Sequence, residues 1–284
     1  MKKYVLLGGA GYVAPKHYGA IKQTGGDLIA ILDPHDNVGI LDSYFPGCQY
    51  FREFERFDRF CSGQDIDYTV VCSPNYLHDA HCRFGLRIGS DVICEKPLVL
   101  HERNLDGLIQ MCNITRHRIW NILQLRLGDA CKKAREELTK PGHSNYVWLG
   151  YTISRGSWYD YSWKGNLEKS GGILFNIGIH LFDLLLYLFG PSYKIKTWRG
   201  GKRYQEGRIF IGGYGGYDVG ILLEIAQDLP PKRELLIGNE TFDLSKNFTD
   251  LHTESYRQIL AGNGFGIEYA RPAITLCEEL RNLG

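Results

Sequence analysis

The sequence predicts two domains of different architecture, an α/β domain with a parallel sheet followed by an α+β domain with a mostly antiparallel, open-faced sheet. In the first half, buried-strand patterns alternate with helical ones, which is the order that a parallel sheet requires. Between residues 193 and 242, short strand patterns follow one another with glycine turns between them, which is typical of antiparallel sheets. We therefore divide the chain into residues 1–120 and 121–284, and leave open whether the last helix packs back on the first domain.

Length and composition exclude several classes of protein. The 284 residues are 44% hydrophobic, enough for two compact cores, and 33 basic against 32 acidic residues leave no charge excess for nucleic acid or a membrane surface. No apolar run approaches the roughly 20 residues that span a bilayer, and Met1 leads into a strand without a signal-peptide pattern. The eight cysteines lack CxxC spacing, so we expect buried thiols in a cytoplasmic protein, with neither disulfides nor a metal site.

A glycine-rich turn follows the first strand pattern, Tyr4–Leu7. Residues 8–14 read Gly-Gly-Ala-Gly-Tyr-Val-Ala, which contains G-x-G-x-x-A, and a helical pattern continues to about Thr24. Glycines let the backbone turn tightly and approach a pyrophosphate, whose charge then lies at the N-terminus of the helix. We therefore assign contacts with a dinucleotide to Gly9, Gly11, Tyr12 and Val13.

Asp33 ends the second strand pattern, Leu28–Leu32, about 20 residues after the glycine turn. A carboxylate at this position bonds the ribose hydroxyls and repels an added 2′-phosphate, by on the order of 4 kcal/mol at about 4 Å and an effective dielectric near 20. Asp33 therefore predicts NAD rather than NADP as the cofactor. The alternative is that Asp33 only forms the turn before Pro34.

Polar residues follow the next long strand pattern, Ile66–Cys72. Ser73, Asn75 and His78 would lie above the carboxyl edge of the sheet, so we assign them to the cofactor site. The alternative for Ser73 and Asn75 is that they cap the helix that follows. His78 and His81 have an i, i+3 spacing that metal ligands can share, but no third soft ligand lies near them in the sequence, so we predict no metal there.

An acid, a base and a proline end the strand pattern Val92–Cys94. Pro97 has no N–H and cannot continue a ladder, so Glu95 and Lys96 are left at the carboxyl edge of the sheet, where open α/β folds bind their ligands. We assign both residues to the cofactor site and Lys96 to the substrate as well. The alternative is an ordinary surface pair after a strand.

Three motifs together resemble the glucose–fructose oxidoreductase and inositol dehydrogenase (Gfo/Idh/MocA) family: the glycine turn, Cys-Ser-Pro-Asn-x-x-His at 72–78, and Glu-Lys-Pro at 95–97. The resemblance implies a Rossmann dinucleotide-binding domain, with Lys96 at the nicotinamide and the substrate. It also implies a cis bond before Pro97, and cofactor contacts for Gln124 and Trp163 in the second half.

An aromatic loop with two bases, residues 154–165, follows the strand pattern Tyr146–Thr152. The functional interpretation is stacking on a flat ring of the substrate, with Arg155 or Lys164 facing a phosphate or a carboxylate. The alternative is a packed aromatic lid.

A row of polar residues lies in the next helical pattern, which begins near Gly171. Asn176, His180 and Asp183 share one helical face among apolar residues, and the alternative for His180 is a hydrogen-bonded core histidine. In the family that the chain resembles, the equivalent motif ends in Asp-x-Gly-x-His, and its histidine is the candidate general base beside the lysine. The resemblance therefore implies a catalytic set of Lys96, Asn176 and His180. Because asparagine cannot titrate, Asn176 would only orient the substrate.

Further segments resemble a group of bacterial dehydrogenases within that family, which oxidise the 3-hydroxyl of UDP-N-acetylglucosaminuronic acid for O-antigen synthesis. These segments are residues 11–17, 121–126, 162–165 and 249–253. The resemblance implies a UDP-linked amino uronic acid as substrate, NADH that 2-oxoglutarate could reoxidise, and a homo-oligomer, dimer or tetramer, formed through the second sheet. The runner-up is a dehydrogenase of free sugars or inositols. The alternative from another class is an NAD-binding regulator without chemistry.

Overall fold

Residues 1–213, 215–245 and 250–283 are described by the computed structural model of the chain. They form two compact units, of which the first combines Met1–Ile122 with Asp250–Arg271 and the second takes the remainder. The first unit thus includes a segment that the sequence placed in the second domain. A backbone bridge between Trp120 and Gly266 holds that segment against the first sheet. Local sequence patterns do not predict a contact between residues so far apart in the chain.

The strands of the described residues build two six-stranded sheets. In chain order they are β1 (Lys3–Leu7), β2 (Asp27–Leu32), β3 (Gln49–Phe51), β4 (Tyr68–Val71), β5 (Asp91–Cys94), β6 (Ile119–Asn121), β7 (Tyr146–Ser154), β8 (Tyr193–Gly200), β9 (Tyr204–Ile211), β10 (Tyr217–Ala226), β11 (Lys232–Ile237) and β12 (Glu240–Asp243).

The α-helices of the described residues lie between and after these strands. In chain order they are α1 (Ala14–Gln23), α2 (Phe54–Cys61), α3 (His78–Arg87), α4 (Glu102–Thr115), α5 (Asp129–Leu138), α6 (Trp158–Tyr161), α7 (Leu167–Ser170), α8 (Ile179–Phe189), α9 (Leu251–Leu260) and α10 (Ile267–Leu283). From the sequence we expect α9 to start near Phe248, which lies outside the described residues.

The first sheet has the strand order β3-β2-β1-β4-β5-β6, and all its pairings are parallel. The order reverses between β1 and β4, and doubly wound sheets bind dinucleotides outside the carboxyl ends of their strands at such a point. Val5, Leu6 and Leu7 of β1 are fully buried, which is why the inner strands read as aliphatic runs. The predicted α/β class of this half is confirmed. The short β3 and α2, which the sequence did not reveal, extend it.

The second sheet has the order β12-β11-β7-β10-β9-β8, and only β7 and β10 pair in parallel. Val219, Ile221 and Leu223 alternate along β10 and are fully buried, which gives the sheet one apolar face. The predicted, mostly antiparallel sheet is confirmed. From the sequence we expect this strand to span Arg208–Ile211. β9 begins earlier, at Tyr204, because its polar first residues and Gly207 hide the strand pattern.

The most apolar helical stretch runs from Leu167 to Phe189 and contains a π-helical segment, Leu174–Gly178, before α8. By length and composition it could cross a membrane, although the sequence suggested no run of that size. However, 67% of its most apolar window is buried inside the fold, as expected for a core helix.

All eight cysteines are free, and six of them are buried. Burial raises the pKa of Cys61 to about 12 and that of Cys131 to about 11. These thiols therefore stay protonated near neutral pH and pack as small hydrophobic groups.

Candidate active site

The turn between β1 and α1 requires glycine. Gly8 has a φ of 94°, and a Cβ added to it would lie 2.6 Å from the carbonyl carbon of Cys72. A Cβ on Gly9 would lie 2.6 Å from Cδ1 of Ile31, and the N–H of Gly11 donates to the carbonyl of Gly8. No side chain caps the N-terminus of α1. A tight turn that leads into an uncapped helix N-terminus is suited to a pyrophosphate, so these residues fit a bound dinucleotide.

Asp33 both shapes its own turn and reaches the glycine turn. Its Oδ1 accepts from the N–H of His35 and its Oδ2 accepts from the N–H of Ala10, each at 2.9 Å. The turn-forming alternative is therefore correct, but it does not exclude the cofactor role, because the carboxylate also lies beside the glycine turn. Tyr12, which is exposed, and Val13, which is half-buried, belong to the same turn.

The polar residues after β4 do not cap α3, since neither α3 nor the short 3-10 segment before it has a side-chain cap. The Ser73 hydroxyl pairs instead with Nδ1 of His81 at 2.8 Å. The buried His78 lies between two carbonyl oxygens, with Nδ1 at 2.6 Å from Pro97 and Nε2 at 2.8 Å from Ser73. Burial lowers the pKa of His78, so its neutral ring carries one N–H, which we place on Nδ1, the nitrogen with the shorter contact. His78 thus donates to Pro97 and lies against the end of β4. Asn75 is buried at the same edge. The assignment of these residues to the cofactor stays a prediction.

Glu95 is buried, so the alternative of a surface pair after β5 is wrong. Its N–H donates to the carbonyl of Val71, and its carbonyl accepts from Nδ2 of Asn121 at 3.3 Å. The N–H of Lys96 donates to Oε2 of Glu95 at 3.3 Å, and the Lys96–Pro97 bond is cis, as the resemblance implied. The main chain of Lys96 is thus fixed, while its side chain is half-buried.

Two histidines that sequence reasoning did not assign to the site hold the Glu95 carboxylate. Nε2 of His17 lies 3.1 Å and Nε2 of His252 lies 2.8 Å from Oε1 of Glu95. Burial raises the pKa of Glu95, but the hydrogen bonds from the two imidazoles outweigh burial and hold that pKa well below its usual range. A histidine on the buried face of α1 was the available signal, because buried polar side chains need partners.

The three polar residues that we expected on one helical face, Asn176, His180 and Asp183, have different surroundings. Asp183 is buried and accepts two hydrogen bonds from Arg126, at 2.9 and 2.6 Å. Asn176 lies in the π-helical segment and His180 in the first turn of α8, and both are half-buried. A π-turn holds more residues than an α-turn, so the α-helical spacing between Asn176 and His180 does not hold. His180 and Asp183 are both in α8, and the bonds to Arg126 are what set Asp183 apart. Asp183 therefore belongs to the core, and Asn176 and His180 remain the candidate catalytic residues.

Two positively charged side chains of the aromatic loop lie near one indole ring. The guanidinium carbon of Arg155 lies 6.0 Å and the Nζ of Lys164 lies 5.8 Å from the centroid of Trp158. Burial and then the charge of Arg155 lower the pKa of Lys164. The ring centroid of Trp163 lies 5.9 Å from the same Nζ. Two cations in one loop favour an anionic ligand group such as a phosphate or carboxylate.

Gln124 carries a buried acceptor. Its Oε1 has no hydrogen-bond partner among the residues that the structure describes. An unsatisfied buried polar group costs about 1–3 kcal/mol. The assignment of Gln124 to the cofactor stays a prediction.

Two family models match the chain. The NAD-binding Rossmann fold of the Gfo/Idh/MocA oxidoreductases matches residues 2–121, and the C-terminal alpha/beta domain of the same family matches residues 145–211. The chain belongs to the Gfo/Idh/MocA oxidoreductase family. The first domain of this family member is an NAD-binding domain, as the glycine turn and Asp33 predict.

A solved structure is similar to this family member along its full length. The WlbA (WbpB) dehydrogenase from Thermus thermophilus, in complex with NAD and alpha-ketoglutarate, is 38% identical, with a TM-score of 0.94. The comparison covers 100% of this chain and 96% of that one. The same dehydrogenase in complex with NAD and UDP-GlcNAcA is 37% identical, with the same TM-score.

Curated relatives of the chain have different activities. The 2,7-anhydro-N-acetylneuraminate hydratase of Mediterraneibacter gnavus is 27% identical over 66% of this chain and 50% of its own length. The inositol 2-dehydrogenase of Rhizobium meliloti is 26% identical over 79% of this chain and 65% of its own length. The chain thus spans about half the length of the first of these relatives, and family membership alone does not decide its substrate.

The predicted catalytic residues belong to different units. Lys96 lies in the first unit, and Asn176 and His180 lie in the second. That they serve a single nicotinamide stays a prediction.

Proposed function

We propose that this chain is an NAD-dependent dehydrogenase that oxidises the 3-hydroxyl of a UDP-linked N-acetylamino hexuronic acid to a ketone. The observation that carries the proposal is the full-length similarity to a dehydrogenase whose solved complex contains NAD and UDP-GlcNAcA. The cationic loop around Trp158 supports it, because this substrate brings phosphates and a carboxylate. The product would enter surface-polysaccharide synthesis, and its ketone would suit an aminotransferase.

The chemistry requires a base and a way to stabilise charge on oxygen. NAD, when bound, supplies the hydride acceptor. In the proposal, His180 accepts the proton of the 3-hydroxyl as the adjacent C–H bond breaks, which gives the ketone, NADH and a proton. The ammonium group of Lys96 stabilises the negative charge that develops on the oxygen. A placed base of this kind contributes roughly 100- to 10,000-fold to the rate.

Asn176 has no acid–base role in the proposal. The resemblance to the family implies an aspartate at this position of the motif, whereas the amide of asparagine cannot exchange protons near neutral pH. In the proposal, Asn176 orients the sugar by hydrogen bonds. Burial raises the pKa of Tyr159, and the side chain of Asn176 lowers it.

The test is NADH formation with three substrates, UDP-GlcNAcA, the free amino uronic acid and myo-inositol. We expect turnover with UDP-GlcNAcA, and a strong gain in kcat/KM from the UDP portion. Turnover with inositol or free sugar alone would support the runner-up activity. Absence of turnover with every substrate, together with tight NAD binding, would support the non-catalytic regulator instead.

The role of the base is tested by His180→Asn, with His143→Asn as the matched control in the same unit. We expect the first variant to bind NAD normally and to lose turnover. We expect the control to keep both properties. A His180→Asn enzyme with near-normal turnover would remove the assigned base.

Reoxidation of NADH by 2-oxoglutarate forms a separate part of the proposal. The complex of the Thermus thermophilus dehydrogenase with NAD and alpha-ketoglutarate supports it. We expect stoichiometric NADH on the enzyme to be consumed when 2-oxoglutarate is added, with formation of 2-hydroxyglutarate. Persistence of NADH would limit the proposal to the dehydrogenase step.

We also propose a homo-oligomer formed through the second sheet, in the reducing cytoplasm that free cysteines suit. Tyr146 of β7 and Tyr204 of β9 are each 45% exposed, and aromatic side chains are enriched at interfaces. Light scattering on the purified chain checks this. A monomer at micromolar concentration would contradict it.

A further inference from the structure

A cluster of four buried side chains lies behind the Glu-Lys-Pro turn, and we call it the Glu95 cluster: His17 of α1, Glu95 after β5, and His252 and Tyr256 of α9. Three elements that are far apart in sequence meet in it, and 157 residues separate Glu95 from His252. His17 and Tyr256 are fully buried, and only 8% of the Glu95 side chain is exposed. All four residues belong to the first unit.

One arrangement of protons satisfies the cluster. The Tyr256 hydroxyl lies 2.9 Å from Nδ1 of His17, so it can donate to that nitrogen, and the proton of neutral His17 is then on Nε2. That N–H and the Nε2–H of His252 both donate to Oε1 of the ionised Glu95. The rings of the two histidines meet edge to face at 5.1 Å, which allows both to reach the same oxygen.

The second oxygen of Glu95 extends the cluster to the next residue. Oε2 accepts from the main-chain N–H of Lys96 at 3.3 Å. On either side of Lys96, Asn121 holds the carbonyl of Glu95 and His78 holds the carbonyl of Pro97. The backbone from which the lysine projects is therefore bound at its amide and at both neighbouring residues.

We propose that His17, His252 and Tyr256 are positioning residues, which act through Glu95 to fix the main chain of Lys96. This inference rests on the proposed function, in which Lys96 is a catalytic residue. A lysine side chain has four rotatable bonds, so its ammonium can be placed for catalysis only if its Cα is held. A displacement of about 1 Å at a reacting group can cost on the order of 100-fold in rate. Helix α9, far from the dinucleotide motifs in sequence, thereby contributes to turnover.

The same atoms could be considered as metal ligands, because those of His17, Glu95 and His252 all lie within 4.8 Å of one another. The hydrogen bonds already account for this arrangement. The separations of 2.8 and 3.1 Å between the oxygen and the nitrogens are ordinary hydrogen-bond lengths. The tests therefore include removal of metal.

The main test compares His252→Ala with His252→Gln, because the carboxamide of glutamine can return an N–H to the position of Nε2. We expect His252→Ala to lower kcat by roughly 10- to 100-fold, with little change in the KM for UDP-GlcNAcA or in the affinity for NAD. We expect His252→Gln to recover most of the loss. Arg257→Ala, an exposed substitution on the same helix, is the control and should behave as wild type. If His252→Ala does not fold, Tyr256→Phe, which removes only the hydroxyl beside His17, should lower kcat to a smaller extent.

A second measurement does not depend on turnover. The main-chain N–H of Lys96 should exchange with deuterium faster in His252→Ala than in wild type, and slowly again in His252→Gln. This result would support positioning even if the wild-type enzyme showed no activity on UDP-GlcNAcA, which would contradict the proposed function alone. Unchanged exchange and unchanged kcat in His252→Ala would overturn the inference. The inference would also be overturned if His252→Gln restored neither kcat nor slow exchange. The same holds if EDTA treatment abolished turnover and added zinc restored it.

Discussion

Arg126 and Asp183 form a buried ion pair with two hydrogen bonds, at 2.9 and 2.6 Å, within the second unit. Burial raises the pKa of Asp183, and the guanidinium of Arg126 opposes that shift. The Arg126 guanidinium also lies 4.7 Å from the ring centroid of Tyr187. This pair fixes the short helical segment Gln124–Leu127 against α8, the helix that carries His180.

We expect Asp183→Asn to destabilise the protein strongly. The change leaves the arginine charge buried without its counter-ion, which costs about 3–5 kcal/mol in comparable cases. Urea unfolding, followed by circular dichroism, measures the free energy of unfolding. Asp218→Asn removes the partner of Arg208 in an exposed pair, where we expect a loss of no more than about 1 kcal/mol. Equal losses in the two variants would contradict the structural role given to Asp183.

We expect Asp33→Ser to shift the cofactor preference from NAD towards NADP. The change removes the charge that repels a 2′-phosphate, and Arg52, whose Nε bonds the carbonyl of Pro34 in the same turn, can then pair with the phosphate. The ratio of the two Kd values should change by on the order of tenfold or more. Fluorescence titration measures it, with the exposed Asp36→Ser as control. A ratio that stays constant would show that Asp33 serves only its turn.

We expect stability to fall as the pH is lowered from about 6.5 towards 4. Burial and the neighbouring His78 lower the pKa of His81 to about 4, from a usual value of 6.5. The folded state therefore binds fewer protons than the unfolded state between these values, so the contribution of neutral His81 is complete above 6.5 and is lost below it. Burial also lowers the pKa of His17, and its contribution has the same sign.

The measurement is Tm against pH for wild type and His81→Asn. The variant should show a shallower decrease over this range, because asparagine can keep the bond to Ser73 but does not titrate. His35→Asn, in which the replaced side chain is 78% exposed, should follow the wild-type curve. Identical slopes for all three proteins would assign the acid sensitivity to other groups.

We expect Lys164→Met to weaken the binding of the nucleotide sugar without affecting NAD. Loss of one charge-assisted hydrogen bond to a phosphate or carboxylate corresponds to roughly a 10- to 100-fold rise in KM. Steady-state kinetics with UDP-GlcNAcA measure KM. Titration with NAD measures its Kd, which should not change. Lys169→Met, an exposed change in α7, should leave KM as it is. An unchanged KM in Lys164→Met would remove the aromatic loop from the substrate site.

Features that depend on local pattern could be predicted from the sequence. Aliphatic runs of strand length alternate with helical patterns in the first half, and that order alone requires a parallel sheet. The glycine turn could be recognised from its residues, because only glycine fits at these positions. A Cβ would have no room beside Cys72 and Ile31. The cis bond before Pro97 was available only through resemblance to a family.

Partners that come from distant parts of the chain could not be predicted in this way. From the sequence, Glu95 could be a surface acid or a ligand contact, and its actual partners are two imidazoles brought by α1 and α9. Asp183 was grouped with Asn176 and His180 by an α-helical spacing. The π-helical segment changes only the spacing between Asn176 and His180, and Asp183 differs because it pairs with the buried Arg126.

The sequence by itself determined the two sheets, the glycine turn and the acid–base–proline ending of β5, because each follows from steric and burial preferences of neighbouring residues. Only the tertiary structure decided which polar groups are buried together. A buried charge needs a partner that the folded chain brings close in space. The spacing of residues along the sequence does not show which residue that partner is.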